Sequence, residues 1–232
     1  MEDAWYNEGY YETGQLSGKS LYTNYRWMPE ETLVLSHNIM SFMNIKRNQT
    51  VLDFGCAKGY LVKALRMFGV DAHGVDLSSY AVSQADDDVR DYVRSIKPIR
   101  EDTITELFTK RNTSLGDDIG LANARYDFIV CKDVLEHVPY NQIDTVIRAL
   151  SYISPNIFVI VPLGNKLKYY IDEYEEDKSH YIREDLAWWH QKFQTLNYSD
   201  VHSTKDVQLF KEKWYNINPN GNGLLYVKGK KK

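Results

Sequence analysis

Residues 51–61 read VLDFGCAKGYL, a short apolar strand that runs into a glycine-containing turn and then into a helix. In an open parallel sheet, ligands bind outside the carboxyl ends of the strands, where the strand order reverses. Gly55 allows the backbone to approach a ligand closely, and Gly59 allows the start of the helix to pack tightly on the sheet. The free N–H groups at the helix N-terminus favour an anionic or polar ligand. This stretch therefore predicts a ligand-binding turn.

The spacing of the turn disfavours a dinucleotide ligand. Gly55-x-x-x-Gly59, with Ala57 in between, departs from the G-x-G-x-x-G pattern that binds a pyrophosphate. Asp53 stands before the first glycine, where its charge would repel a diphosphate and would suit a ligand that carries an ammonium group. A nicotinamide-nucleotide fingerprint and a purely structural turn are the alternatives.

A second acidic residue follows one strand–helix–strand unit later. Residues 74–78 read GVDLS and end the next predicted strand with Asp76. An acidic residue at this point can accept hydrogen bonds from both hydroxyls of a ribose. In the alternative interpretation, Asp76 or Ser78 only caps the helix that follows. Because the two motifs are in register, we favour a nucleoside ligand.

Strands and helices alternate on both sides of this unit. The strands read as near-continuous apolar runs and the helices as amphipathic, which indicates a parallel sheet covered on both faces. Buried strands are predicted at residues 50–54, 70–75, 92–96, 126–131 and 156–161, and weaker strands at 201–204 and 224–228. Helices are predicted from Pro29 onward and at residues 59–68, 78–86, 141–152 and 182–196, with a turn at 218–223.

Bulk properties limit the function classes. The chain has 232 residues, a net charge of −4 and two cysteines, Cys56 and Cys131. The negative charge argues against broad binding of nucleic acid through phosphate contacts, although a short basic tail ends the chain. Two cysteines are too few for a disulfide framework, and the sequence has neither an apolar leader nor a run long enough to span a membrane. We therefore expect a cytoplasmic protein without a membrane anchor.

Three segments in order carry a resemblance to a known family. VLDFGCAKGYL at 51–61, GVDLSSYA at 74–81 and YDFIVCKDVLEHVP at 126–139 resemble the class I S-adenosylmethionine-dependent methyltransferases. The resemblance implies a Rossmann-like α/β fold, a three-layer sandwich with a mostly parallel seven-stranded sheet and one antiparallel strand near the C-terminus. It also implies S-adenosylmethionine as the cofactor and S-adenosylhomocysteine as the product.

The resemblance suggests a division of the chain. Residues 29–232 are expected to form one methyltransferase domain, with the cofactor half at 48–164 and a substrate-side region at 163–200. Residues 1–28 are rich in Tyr, Trp, Gly and Asn without clear periodicity. We expect them to form an irregular aromatic arm that packs over the main domain.

The resemblance also implies roles for residues around the cofactor. The glycine turn would hold the amino-acid part, Asp53 would lie near the ammonium group, and Asp76 would bind the ribose. Leu77 and Asp102 would contact the adenine. Arg26 could pair with the cofactor carboxylate, because a guanidinium binds a carboxylate through two hydrogen bonds. The candidate cofactor residues are Asp53, Gly55, Cys56, Ala57, Gly59, Tyr60, Asp76, Leu77, Asp102, Lys132 and Arg26.

Two residues are candidates for catalysis. Asp133, which follows the fourth strand, would flank the sulfonium and orient an acceptor, or it would cap the next turn. His180 ends the segment DKSH at 177–180, which resembles a segment found in small-molecule methyltransferases. It could accept a proton from an acceptor hydroxyl, with the tautomer fixed by Asp177, or the segment could cap a helix. His137 is expected to be structural, and Cys131 to be a packed core cysteine.

The histidines give no metal-ligand spacing, so the sequence predicts no metal site. They are His37, His73, His137, His180, His190 and His202.

We predict methyl transfer to an oxygen or nitrogen atom of a small molecule. RNA or protein acceptors are less favoured, because the segments typical of base methylation are absent and the net charge is negative. The sequence is also compatible with a nucleoside-binding domain without catalysis, with a nicotinamide-dependent oxidoreductase and with an aminopropyl transferase. It sets neither the acceptor nor the oligomeric state.

Overall fold

The computed structural model describes residues 3–100 and 126–228, and a seven-stranded sheet runs through these residues. The strands are β1 (Thr50–Phe54), β2 (Asp71–Asp76), β3 (Val93–Ser95), β4 (Phe128–Lys132), β5 (Ile157–Pro162), β6 (His202–Thr204) and β7 (Asn222–Val227). Their order across the sheet is β3-β2-β1-β4-β5-β7-β6. β7 pairs antiparallel with both β5 and β6, and the other strand pairs of this sheet are parallel. The prediction of a mostly parallel sheet with one antiparallel strand near the C-terminus is confirmed.

The strand order reverses beside β1. β1 pairs with β2 on one side and with β4 on the other, in parallel register on both sides. The chain therefore leaves β1 toward one half of the sheet and later returns to build the other half from β4. Such a switch point opens a crevice at the carboxyl ends of the two central strands, which is where open α/β sheets bind ligands.

Helices cover both faces of the sheet. They are α1 (Glu8–Tyr11), α2 (Gly14–Ser17), α3 (Pro29–Met43), α4 (Tyr60–Met67), α5 (Ser79–Ser83), α6 (Ile143–Ile153), α7 (Leu186–Thr195) and α8 (Glu212–Ile217). Successive strand residues point to opposite faces, so Val51 joins the core with α3 and α4, whereas Leu52 joins the core with α6 and α7. The predicted three-layer sandwich is confirmed.

The arm at residues 3–28 is more regular than the sequence indicates. It contains a 3₁₀ helix at Asp3–Trp5 in addition to α1 and α2. Each of these elements is too short to show a helical period of apolar residues, so the pattern suggested irregular structure. Tyr6, Tyr10 and Tyr11 are buried, and they pack with side chains that include Ala57 and Ala81 of the main domain.

The C-terminal region departs from prediction in three places. The helix predicted at 182–196 begins at Leu186, because the side chain of Asp185 caps it by accepting a hydrogen bond from the Trp188 N–H. α8 was not predicted, since one short amphipathic turn gives little signal. The predicted turn at 218–223 gives way to β7 at Asn222. Within the described ranges, no helix is long and apolar enough to span a bilayer.

Candidate functional site

A cavity of about 1380 Å³ lies at the carboxyl ends of β1, β2 and β4, with the arm on its other side. Most of the candidate cofactor residues line it: Asp53, Gly55, Cys56, Ala57, Tyr60, Asp76, Leu77, Lys132 and Arg26. Asp102 lies outside the described residues. Gly59 is not among the described residues that line the cavity.

The two glycines of the turn serve different contacts. Gly55 has φ +88°, and a Cβ added to it would lie 2.2 Å from a methyl carbon of Val134 in the loop after β4. Gly59 has φ +78°, and its added Cβ would lie 2.8 Å from Val93 at the start of β3. Both positions therefore require glycine. The absence of a side chain at Gly55 makes room for Val134 beside the crevice. Gly59 lets α4 pack closely beside β3, as the sequence predicted.

The carboxylate of Asp76 is held by two backbone amides. The Ala57 N–H donates to its Oδ2 and the Ser78 N–H to its Oδ1, each at 2.7 Å. Ala57 reaches this position with φ +49°, in the left-handed region that glycine adopts more readily. Ser78 caps α5 by accepting the Ala81 N–H at 2.9 Å. The capping role is thus filled by Ser78, and Asp76 borders the cavity.

Asp53 is a buried carboxyl group at the bottom of the crevice. Its residue is 5% exposed. Burial and the negative charge of Asp76 raise the pKa of Asp53 to about 7, against the lowering effect of Lys132. A cationic ligand group beside it would favour the ionised form.

Asp133 is held between two lysines. It has φ +57°, and its Oδ2 lies 2.5 Å from Lys132 Nζ while its Oδ1 lies 2.7 Å from Lys211 Nζ. Burial would raise the pKa of Asp133, but the two ammonium groups hold it below its usual range. Lys211 also contacts the hydroxyl of Tyr174 at 2.8 Å and Oδ1 of Asn222 at 2.9 Å.

The capping alternative for Asp133 is wrong. The 3₁₀ helix that follows β4, Leu135–His137, has Val134 and not Asp133 as its N-cap residue, with no side-chain cap hydrogen bond. The sequence does not reveal Lys211 as the partner of Asp133, because no motif marks a lysine just before a short helix.

The segment at 177–180 is used differently from the sequence hypothesis. Ser179 Oγ donates to Asp177 Oδ1 at 2.5 Å and lies 2.7 Å from Nδ1 of His137. Tyr10 of the arm donates its hydroxyl to Asp177 Oδ2 at 2.7 Å. Hydrogen bonds therefore link the aspartate through Ser179 to His137, whereas its effect on His180 is that of a nearby negative charge. The alternative in which this segment caps a helix is wrong, because Asp185 caps α7.

His180 lies beside His137, with ring centroids 4.6 Å apart. Its Nδ1 is 2.9 Å from the carbonyl oxygen of Tyr174. Burial and the neighbouring imidazole lower the pKa of His180 to about 3, which makes this ring a weak general base at neutral pH. The hypothesis that it accepts the acceptor's proton stays a prediction that this environment disfavours.

Glu136 completes a cluster with these two histidines. One potential ligand atom from each of Glu136, His137 and His180 lies within 4.8 Å of the others. In the sequence these histidines are scattered, because His137 follows β4 and His180 follows β5 after a long connection. The parallel pairing of β4 with β5 brings the two loops together.

The arm is fixed over the glycine turn. Lys58 of the turn is buried, and its Nζ lies 2.6 Å from Glu12 Oε1 and 2.7 Å from the carbonyl oxygen of Tyr25. Tyr10, Tyr22 and Tyr25 of the arm line the cavity. The predicted aromatic cover is therefore part of the cavity wall.

Comparison with known proteins agrees with this arrangement. A family model described as a methyltransferase domain matches residues 26–204. The chain belongs to this methyltransferase family. The predicted membership of the S-adenosylmethionine-dependent methyltransferases is thus confirmed, and with it the cofactor. This assignment removes the nicotinamide-dependent alternative.

Curated relatives match part of the chain. The ubiquinone biosynthesis O-methyltransferase of Paraburkholderia phytofirmans is 31% identical over 91 residues, which are 39% of this chain and 34% of that protein. The protein of the same name from Paraburkholderia xenovorans is 30% identical over 91 residues, again 39% and 34% of the two chains. The match thus spans about a third of the length of these curated relatives.

Solved structures share the fold. Phosphoethanolamine N-methyltransferase 2 of Haemonchus contortus, in complex with phosphomonomethylethanolamine and S-adenosylhomocysteine, has a TM-score of 0.56 at 17% identity, over 84% of this chain and 52% of that one. An S-adenosylmethionine-dependent methyltransferase from Archaeoglobus fulgidus has a TM-score of 0.56 at 15% identity, over 86% and 94% of the two chains. At these identities the likeness concerns the fold.

Proposed function

We propose that this protein transfers the methyl group of S-adenosylmethionine to an oxygen or nitrogen atom of a small molecule. The observation that carries the proposal is one continuous cavity of about 1380 Å³, which extends from Asp53 and Asp76 to Asp133 and His180. Pockets for single small ligands measure roughly 300–1,000 Å³. The cavity therefore has room for the cofactor and a second small molecule side by side.

The cofactor fits the end of the cavity that lies over β1 and β2. Asp53 would bind the ammonium group, and Arg26 at the exposed rim would bind the carboxylate. Each oxygen of Asp76 accepts one backbone N–H, which leaves a lone pair on each for a ribose hydroxyl. Leu77, the next residue in the cavity wall, would contact the adenine.

The reaction is a direct displacement at the methyl carbon. A lone pair of the acceptor forms a bond to that carbon while the carbon–sulfur bond breaks, and the sulfonium becomes the neutral sulfur of S-adenosylhomocysteine. The acceptor then loses a proton. Because the sulfonium is already a good leaving group, the protein mainly has to align the acceptor atom, the methyl carbon and the sulfur.

Asp133 is placed to align the acceptor. Its two lysine partners keep it ionised, so it is a poor proton acceptor but a strong hydrogen-bond acceptor. We propose that it orients a hydroxyl or amine of the acceptor toward the methyl group, as the sequence predicted.

The enclosure by the arm favours a small acceptor over RNA or protein. The buried tyrosines of the arm form one wall of the cavity, and the net charge of −4 gives no general attraction for a phosphate backbone. A cytoplasmic location, predicted from the sequence, belongs to the same proposal and is supported by the free thiols of Cys56 and Cys131.

A transfer assay tests the proposal. The protein is incubated with cofactor carrying a tritiated methyl group and with separate metabolite, RNA and protein fractions. We expect label in the metabolite fraction, with loss of transfer for Asp53→Asn and full transfer for Asp200→Asn, an exposed aspartate outside the cavity wall. Label confined to RNA or protein would overturn the small-molecule acceptor.

A further inference from the structure

Three potential metal ligands meet on the acceptor side of the cavity. Glu136 and His137 belong to the 3₁₀ helix Leu135–His137 directly after β4, and His180 belongs to the segment that precedes α7. Their ligand atoms lie within 4.8 Å of one another, and all three residues line the cavity. Two imidazoles and one carboxylate are a ligand set for divalent first-row metals that leaves coordination positions open.

Hydrogen bonds prepare the two imidazoles for a metal. Nδ1 of His180 faces the carbonyl oxygen of Tyr174 at 2.9 Å, and a carbonyl can only accept, so this nitrogen carries the proton. Nδ1 of His137 faces Ser179 Oγ at 2.7 Å. The proton of that hydroxyl is donated to the ionised Asp177, so Nδ1 of His137 must also be the donor.

Each ring therefore has a free lone pair on Nε2. This is the tautomer that a metal requires, and a hydrogen bond from the opposite ring nitrogen to an oxygen is the usual support of a metal-bound histidine.

Glu136 lacks the partners that a buried carboxyl group needs. The residue is 1% exposed, and its Oε2 has no hydrogen-bond partner among the described residues. Buried polar atoms are rarely left unpaired, and a cation beside this oxygen would offset the cost of burying it.

We propose that Glu136, His137 and His180 bind a divalent transition-metal cation. Asp177 and Ser179 act as positioning residues that hold His137 for the metal, and Tyr10 ties this support to the arm.

The role of the cation rests on the methyl transfer proposed above. An open coordination position facing the cavity would take an oxygen of the acceptor and lower the pKa of its hydroxyl. The acceptor class is then a hydroxyl compound that can ligate a metal, and its proton passes to water as the oxygen attacks the methyl carbon.

Metal binding can be measured without cofactor or acceptor. Untagged protein is freed of metal with a chelator and titrated with Mn²⁺, and the free ion is followed by electron paramagnetic resonance. We expect one Mn²⁺ per chain for the wild type and at least about tenfold weaker binding for Glu136→Gln and His180→Ala. His190→Ala is the matched control, since this histidine bonds Ser203 outside the cavity wall, and its binding should be unchanged.

A milder variant keeps the test valid if Glu136→Gln or His180→Ala does not fold. Ser179→Ala removes only the hydroxyl that supports His137 and should weaken Mn²⁺ binding roughly tenfold, with the far-ultraviolet circular dichroism unchanged. No binding by the wild type, or equal binding by the wild type, Glu136→Gln and His180→Ala, would overturn the site. Such a failure would leave methyl transfer untouched, because calorimetry with S-adenosylmethionine tests the cofactor site separately.

Discussion

Replacing Asp53 by asparagine should stabilise the fold at alkaline pH and weaken cofactor binding. The carboxyl group is buried beside Asp76, and its pKa rises from 3.8 to about 7. Because the folded-state pKa lies above the unfolded value, the contribution of this group to the unfolding free energy is fully present below about pH 4. That contribution is lost as the pH rises to 7. A shift of about three pKa units corresponds to at most about 4 kcal/mol of unfolding free energy above pH 7.

Urea unfolding of the wild type and of Asp53→Asn tests this magnitude. Asparagine has nearly the same shape without the charge, so the variant should be the more stable protein at pH 8. The difference in unfolding free energy between the variant and the wild type should decrease by about 2 kcal/mol from pH 8 to pH 5.5, because the wild-type carboxyl group takes up its proton. Asp200→Asn should show no such difference. A variant less stable than the wild type at pH 8, or a difference in stability independent of pH, would contradict the raised pKa of Asp53.

The same carboxyl group should make cofactor binding depend on pH. An ammonium group binds the ionised form of Asp53, so in the wild type the affinity for S-adenosylmethionine should be about eightfold higher at pH 7.5 than at pH 6. Calorimetric titration of Asp53→Asn should give weaker binding without this dependence. An equal dependence in the variant would assign the titration to another group.

Two further substitutions separate the cofactor end from the acceptor end. Gly55→Ala combines φ +88° with a Cβ only 2.2 Å from a valine methyl carbon, so it should reduce cofactor affinity by more than tenfold in calorimetry. Its control is Gly18→Ala, at a glycine with φ +64° and open space around it. This control should leave cofactor affinity unchanged and lower the unfolding free energy in urea by only about 1 kcal/mol. Lys211→Met removes one of the two cations that hold Asp133 and should cost about 3 kcal/mol of stability and lower kcat at least about tenfold at unchanged cofactor affinity. Lys46→Met, at an exposed lysine outside the cavity wall, should change neither quantity, and a normal kcat for Lys211→Met would contradict the role of Asp133.

Local motifs were enough to predict the cofactor end of the site. Strand, turn and helix follow one another within residues 51–61, so Asp53 and Gly55 reach the crevice by short-range geometry alone. Asp76 follows after one strand–helix–strand unit, and the parallel pairing of β1 with β2 places it beside the turn. The periodicity of the apolar residues likewise predicted the layers of the sheet.

The acceptor end depends on contacts between distant parts of the chain. Lys211 reaches Asp133 only because β7 turns back antiparallel to β5, and no sequence signal marks that pairing. The hydrogen bonds of Asp177 lead through Ser179 to His137 and not to His180, since the loop after β5 folds against the end of β4. Patterns within one segment cannot show such contacts, so the cluster of two histidines and a glutamate was missed.

Methyl transfer to a small molecule in this cavity can be tested by mass spectrometry of the reaction products. The protein is incubated with S-adenosylmethionine that carries a trideuterated methyl group and with a metabolite extract. We expect one or more metabolites that carry the labelled methyl group, with an equal amount of S-adenosylhomocysteine, and neither product with Asp53→Asn. No more S-adenosylhomocysteine from the wild type than from Asp53→Asn, or label found only in macromolecules, would contradict this expectation.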